Sequence, residues 1–284
     1  MSFMNADSPF PVAMTIAGSD SGGGAGIQAD LRAFRAFNVH GCSAITALTA
    51  QNPLGVRNIQ PASLAVLRDQ ISAISEAFSV KAIKTGMLVD AEHIRVVAET
   101  LPLFQGIPLI VDPVMVSTSG KALLAEDAVE VLTTVLLPHA ALVTPNLPEA
   151  NALLGRPIHA PIPALAPFAQ ALFNRLQVPI LLKGGHHATS TATDLIVDAE
   201  GGCFEIVSPI VPAPLTTHGT GCSLSAAIAA NLARGNTLLE SICRAKAWLY
   251  TLLNAGVCAG KAAVYGVEAA QLPRECIQVR SLTR

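Results

Sequence analysis

A run of alternating glycines, Thr217-His218-Gly219-Thr220-Gly221-Cys222-Ser223, leads straight into the alanine-rich stretch from Leu224 to Ala230. Glycines free the backbone to turn its N–H groups inward, and the start of a helix adds a partial positive charge. Together they make a nest for a developing anion. A phosphoryl group in transfer fits such a site. Cys222 stands at the helix start, where a thiol's pKa tends to fall, so it suits a base or nucleophile; as a small apolar residue it suits packing equally well. A second glycine run, Ala17-Gly18-Ser19-Asp20-Ser21-Gly22-Gly23-Gly24-Ala25-Gly26, lies between an apolar stretch and a helical one. It can bring N–H groups to an anion or admit a ligand closely, and it can equally be a tight turn needing positive φ. The G-x-G-x-x-G dinucleotide spacing is absent, and Gly120-Lys121 and Gly260-Lys261 lack the rest of a P-loop.

Three further groups stand at the ends of apolar runs. Lys183, in Leu181-Leu182-Lys183-Gly184-Gly185, offers a cation for a nucleotide phosphate, or is an exposed lysine beside a turn. Asp112 follows Val111, and Asn146 and Glu149 lie in Thr144-Pro145-Asn146-Leu147-Pro148-Glu149. These are oxygen donors of the kind magnesium takes alongside waters and substrate phosphates, while Asn146 and Glu149 also spell a helix capping box. Gln51 carries a donor and an acceptor on one amide, which suits the edge of an aminopyrimidine, and Asp30 could accept from the amino group of such a ring.

The elements that must hold these groups alternate between β and α patterns. Strands are expected at Val12–Ala17, Cys42–Leu48, Val80–Lys84, Leu109–Val111, Ala141–Thr144 and Ile180–Lys183. Helices are expected at Ala25–Phe37, Ser63–Phe78, Ala91–Leu103, Glu126–Leu136, Pro148–Leu154, Ala164–Leu176, Ser223–Ala233 and Leu238–Ala255. That alternation predicts an α/β fold, a mostly parallel central sheet with helices on both faces. Thr193–Val197 and Cys203–Val207, joined through Glu200-Gly201-Gly202, read as a hairpin extending the sheet's edge. Ligands of open parallel sheets bind beyond the carboxyl ends of the strands, where the polar residues above fall. No repeat or long linker divides the chain, so residues 1–284 are expected to form one domain.

Composition narrows the function classes. With 284 residues, 51% hydrophobic and 13% charged, the chain can bury roughly 75% of its unfolded surface and needs no staple. The six cysteines, Cys42, Cys203, Cys222, Cys243, Cys258 and Cys276, have no C-x-x-C spacing, which argues against a zinc site and a disulfide framework. Lysine and arginine number 18 against 20 acidic residues and are scattered, so no basic stripe marks a nucleic-acid partner. Charged residues or prolines interrupt every apolar stretch before the roughly 20 residues of a membrane span. Met1 to Pro9 reads as neither a secretory signal nor a transit peptide, and a cytosolic protein is expected.

Seven segments in order, AGSDSGGGAGIQADL (17–31), GCSAITALTAQN (41–52), KTGML (84–88), VDPVM (111–115), TPNLPEA (144–150), LLKGGH (181–186) and HGTGCSLSAAIAA (218–230), resemble the hydroxymethylpyrimidine/phosphomethylpyrimidine kinases of thiamine biosynthesis, within the ribokinase-like superfamily. The match covers about residues 12 to 256. It implies a ribokinase-like three-layer fold and ATP-dependent phosphorylation of 4-amino-5-hydroxymethyl-2-methylpyrimidine, first to the monophosphate and then to the diphosphate. By the same resemblance Asp30, Gln51 and Met87 would line the pyrimidine pocket, with Gly18 and Asp20 nearby. Lys183 and Lys246 would face the ATP phosphates, and Asp112, Asn146 and Glu149 would surround Mg2+. Gly219, Thr220 and Gly221 would form the anion hole with Cys222, which would deprotonate the alcohol. A homodimer is also implied. The segment 257–284 departs from the family's histidine- and glycine-rich ending, which bears on closure of the substrate pocket. Two rivals remain: a pyridoxal kinase, against which Gln51 speaks, and a non-catalytic pyrimidine sensor, against which Lys183 and Cys222 speak.

Overall fold

The computed structural model describes residues 10–116, 122–125, 127–184, 191–265 and 273–282. The chain runs β1 (Val12–Asp20), α1 (Gly26–Ala36), β2 (His40–Asn52), β3 (Gly55–Pro61), α2 (Leu64–Ala77), β4 (Val80–Thr85), α3 (Ala91–Thr100), β5 (Leu109–Val111), α4 (Ala128–Val131) and β6 (Leu142–Val143). It continues with α5 (Leu147–Leu153), α6 (Leu165–Leu176), β7 (Ile180–Leu182), β8 (Thr191–Val197), β9 (Cys203–Pro209), α7 (Thr220–Ala233), α8 (Leu238–Asn254), β10 (Gly256–Ala259), β11 (Ala262–Tyr265) and β12 (Gln278–Ser281).

Continuous apolar runs such as Ile180–Leu182 become strands because both faces of the sheet are covered. Ten strands order as β12-β9-β8-β7-β6-β5-β4-β1-β2-β3. The pairings from β2 through β1, β4, β5 and β6 to β7 are parallel. On one face Leu67 and Ile71 of α2, Ile94 and Val97 of α3 and Leu172 of α6 pack against the sheet; on the other, Phe34 of α1, Leu224 and Ile228 of α7 and Trp248 of α8 do so. Helix α7 is buried nearly all round, and its alanines let it lie close to the sheet. Strand order reverses at β1, with β2 on one side and β4 on the other. The crevice beyond their carboxyl ends is where such a sheet binds ligands.

Several expectations are refined. Strand β1 runs on to Asp20, because after a register shift between Ala17 and Ser19 it pairs with β2 again. Strand β2 continues to Asn52 and turns into β3, which the sequence hides because Arg57, Asn58 and Gln60 face outward along a polar edge. The hairpin β8–β9 forms and extends the sheet as expected, and it meets β7 antiparallel, but β12 pairs outside β9 and forms the edge. The helix expected to end at Leu136 is α-helical only over Ala128–Val131 and widens to a π-helix over Leu132–Leu136. There the hydroxyls of Thr133 and Thr134 donate back to the carbonyls of Val129 and Glu130, which loosens the turn. Glu126 itself lies outside the described residues, as do Gly120, Lys121, Gly185 and His186. Among the described residues no helix is long and apolar enough to cross a membrane.

Candidate active site

The carboxyl ends of β1, β2, β4, β5 and β6 and the start of α7 enclose a cavity of about 190 Å³. Of the residues singled out from the sequence, Gly18, Asp20, Gln51, Met87, Asp112, Asn146, Glu149, Lys183, Gly219, Thr220, Gly221 and Cys222 all line it. Each stands within a few residues of a strand end or on the first turn of α7, so sheet geometry alone gathers them.

The glycine run after β1 does form a nest, but the anion in it is the chain's own. Asp20 Oδ1 accepts from the N–H of Gly22 at 2.8 Å, and Oδ2 accepts from Gly24 at 3.0 Å and Ala25 at 2.8 Å. His218 Nε2 lies 3.0 Å from the same Oδ2. Burial pushes the Asp20 carboxyl up, but the bonds from His218, Ala25 and Gly22 outweigh it and hold it below the usual range. Asp20 therefore anchors the loop. The bond to a carboxylate assigns the Nε2 proton of His218 to Asp20, so Gln51, whose Nε2 is 3.3 Å from the same ring nitrogen, cannot donate to it and keeps its amide for the cavity.

Helix α7 starts at Thr220 behind Gly219, whose φ is +78° and which offers no side chain to cap the first turn. That turn's N–H groups are thus not covered by a capping side chain. A Cβ on Gly219 would stand 2.0 Å from the carbonyl oxygen of Gly24, so the two glycine loops touch backbone to backbone. Cys222 departs from expectation: burial pushes its thiol up to about 11, against the opposing pull of Lys84 and a bond from the Gly26 N–H. The helix terminus does not make this a low-pKa thiol, because desolvation is the larger effect.

Opposite the nest, Lys183 Nζ lies 2.8 Å from Asp112 Oδ1 and 3.9 Å from Glu149 Oε2. Thr144 and Ser225 hydroxyls, each at 3.3 Å, also donate to Asp112. Burial raises the Asp112 carboxyl, yet Lys183 and Lys84 together bring it below its ordinary value. Glu149 is pushed up to about 7, chiefly by burial and further by Asp112, with Lys183 opposing. Asn146 and Glu149 form a full capping box on α5, with both bonds at 2.8 Å. Cap and cavity wall are one structure, so the two readings of these residues hold together. Asp112 and Glu149 share one ammonium, so a bound cation would favour the ionised form of Glu149, and that donor set fits a cation held by few protein oxygens. Among the described residues no group of three acidic, histidine or cysteine side chains forms a full protein cage.

Asp30 does not line the cavity. It is fully buried on the apolar stripe of α1, where Lys84 Nζ donates to its two oxygens at 2.9 and 2.8 Å and the Thr15 hydroxyl donates at 2.6 Å. Three of its acceptor sites are taken, and both oxygens are engaged by Lys84 and Thr15 in the core. Lys84, from the segment Lys84-Thr85-Gly86-Met87, takes its place at the cavity wall. Although burial disfavours its ammonium, Asp30 keeps it charged and its pKa raised.

A second cavity, of about 390 Å³, lies on the other side of the α7 N-terminus, lined by Ala192, Val211, Leu224, Leu249 and Leu253 together with Lys246 and Asp194. Lys246 donates to Asp194 Oδ2, while Asp194 Oδ1 accepts the Gly184 N–H at 3.0 Å. Asn146, Lys183, Thr217, Thr220 and Gly221 line both cavities. Lys84, His218 and Asp194 are residues that motif spacing did not single out. A lysine near the end of a buried strand and an aspartate on the apolar face of α1 were the available signal for the Lys84–Asp30 pair.

An α/β sheet with paired cavities meeting at the glycine nest before its penultimate helix defines a ribokinase-like small-molecule kinase. The family model described as phosphomethylpyrimidine kinase matches residues 20–266, and the chain belongs to that family. It is 45% identical over 250 residues to the hydroxymethylpyrimidine/phosphomethylpyrimidine kinase of Rhizobium meliloti, covering 86% of this chain and 91% of that protein. Among solved structures, the pyridoxal kinase of Staphylococcus aureus in complex with ADP aligns with a TM-score of 0.84 at 28% identity, over 96% of this chain and 99% of that one. The phosphomethylpyrimidine kinase of Clostridium difficile aligns with a TM-score of 0.70 at 36% identity, over 84% and 97% of the two chains.

Proposed function

We propose that the protein transfers the γ-phosphoryl group of ATP to the hydroxymethyl group of 4-amino-5-hydroxymethyl-2-methylpyrimidine, and then to the resulting monophosphate, in thiamine diphosphate biosynthesis. The observation that carries this is the shared wall. Two cavities of about 190 and 390 Å³ meet at Lys183 and the 219–222 nest, the smaller ringed by Gln51, Lys84, Asp112 and Glu149, the larger by Val211, Leu224, Leu249 and Leu253. Acceptor alcohol and nucleotide then approach the same first turn of α7 from opposite sides, as in-line transfer requires.

In this reading Gln51 and Met87 hold the aminopyrimidine, with Asp20 fixing the loop that closes over it. Lys183 and Lys246 bind nucleotide phosphates, and the backbone N–H groups of the nest receive charge on the transferring oxygens. Asp112 and Glu149, with Asn146, would hold Mg2+, directly or through water. That ion would supply neutralisation of phosphate charge. Cys222 would take the hydroxyl proton as the minority thiolate, having first lost its own proton to solvent; burial opposes that thiolate, and Lys84 and the Gly26 N–H support it. The reaction is placed in the cytosol, where ATP is supplied.

The S. aureus likeness in overall shape favours a second reading, a pyridoxal kinase; Gln51 and the higher identity to pyrimidine kinases favour the first. Mass spectrometry of products after incubation with ATP, Mg2+ and each alcohol in turn decides. Mono- and diphosphates of the pyrimidine are expected; a higher kcat/KM for pyridoxal overturns the choice, and no ADP with either supports a sensor.

A further inference from the structure

The glycine loop is gripped from two sides. Its N–H groups at Gly22, Gly24 and Ala25 point to Asp20, and on the opposite side the carbonyls of Gly23 and Gly24 accept from Arg32 Nη1 at 3.0 Å and Nη2 at 3.4 Å. Side chains on a helix lean toward its N-terminus, so Arg32, nearly two turns into α1, reaches back over the loop that precedes it. A negative group on the N–H side and a positive one on the C=O side both follow the peptide dipoles, so the loop is clamped rather than merely turned.

The clamp has a lid from the atypical C-terminal segment. Strands β10 and β11 form a separate antiparallel hairpin, outside the main sheet. Its last residue, Tyr265, is buried and presents its ring 6.0 Å from the Arg32 guanidinium carbon. The Tyr265 hydroxyl lies 3.4 Å from the carbonyl oxygen of Thr216, in the turn that leads to the nest. Gly256, at the hairpin's other end, packs against Leu215.

Resting on the proposed function, we infer that Arg32 and Tyr265 are positioning residues. They hold the glycine loop and the 216–219 turn in register, so the hairpin β10–β11 shapes the alcohol-binding side of the site. Neither residue lines the two cavities assigned to alcohol and nucleotide. Loosening the clasp shifts the wall carrying Asp20, His218 and Gln51 while leaving the apolar lining of the nucleotide cavity in place.

The test is steady-state kinetics of Arg32→Met, Arg32→Lys, Tyr265→Ala and the double variant Arg32→Met/Tyr265→Ala, with the pyrimidine alcohol and ATP varied separately. Arg32→Met should raise KM for the alcohol about tenfold, the worth of one charge-assisted hydrogen bond, Tyr265→Ala should raise it about threefold to tenfold through the lost ring contact and the neutral bond to Thr216, and both should leave KM for ATP within about twofold. The double variant should be no worse than the poorer single one, and Arg32→Lys should recover most of the loss. An unchanged KM for the alcohol, equal rises in both KM values, or additive losses overturn the inference. Hydrogen exchange of Tyr265→Ala gives a readout independent of catalysis: faster exchange in residues 21–25 and 216–219 together is expected, and unchanged exchange there refutes the clasp. A wild-type protein that forms no product refutes the proposed function instead, while the exchange result still judges the clasp.

Discussion

Gly219→Ala tests how tightly the two glycine loops are set. The residue has φ +78°, and a Cβ there would lie 2.0 Å from the Gly24 carbonyl oxygen, against ordinary Cβ contacts of 3.4 Å and beyond. The obstacle is backbone, so the loops must part by more than an ångström. The left-handed conformation alone costs an alanine about 1–2 kcal/mol. Gly235, with φ +85° and nothing within 4 Å of its Cβ position, isolates that backbone cost at a site remote from both cavities. Both variants should lose a few degrees of melting temperature. Only Gly219→Ala should lose kcat/KM, by about 10²-fold, because a shift of about 1 Å in the reacting geometry costs that much. If Gly219→Ala keeps more than half the wild-type kcat/KM, or if Gly235→Ala loses as much, loop contact is not what positions the nest.

Replacing Cys222 with alanine should preserve ATP binding by calorimetry and reduce kcat by ~10²–10⁴-fold; near wild-type turnover would remove the thiol from the base role. A thiol held near 11 keeps its proton through neutral pH. In the ligand-free protein at pH 8, iodoacetamide should therefore label the exposed Cys258 and Cys276 about a hundredfold or more faster than Cys222. The Cys222 rate should go on climbing toward pH 11; a plateau near pH 8 would contradict the burial argument. Asp30→Asn removes the carboxylate that keeps Lys84 charged and leaves a fully buried amine poorly paired in the core, and urea unfolding should show a loss of ~3–5 kcal/mol. A loss below 1 kcal/mol would mean the pair is not held as described.

Much of the site could be read before the fold was known, because a parallel sheet delivers its strand ends to one edge. Asp112, Asn146, Lys183 and Gln51 each follow an apolar run, and each reaches the cavity. What sequence could not supply was the balance of competing partners. Asp30 looks like a ligand until Lys84, distant in sequence, claims both its oxygens. Cys222 sits where a helix terminus lowers a thiol's pKa, but its desolvation depends on the packing of a loop some 200 residues earlier. Strand β3 escaped notice because an exposed edge carries no apolar alternation, and β12 because its pairing with β9 is long-range.

The most direct measurement is a crystal structure with Mg2+, a non-hydrolysable ATP analogue and the pyrimidine alcohol bound. The account predicts the terminal phosphate within hydrogen-bonding distance of backbone N–H groups of residues 219–222, with the alcohol oxygen in line on the Gln51 side. A terminal phosphate bound away from that turn of α7 would contradict it.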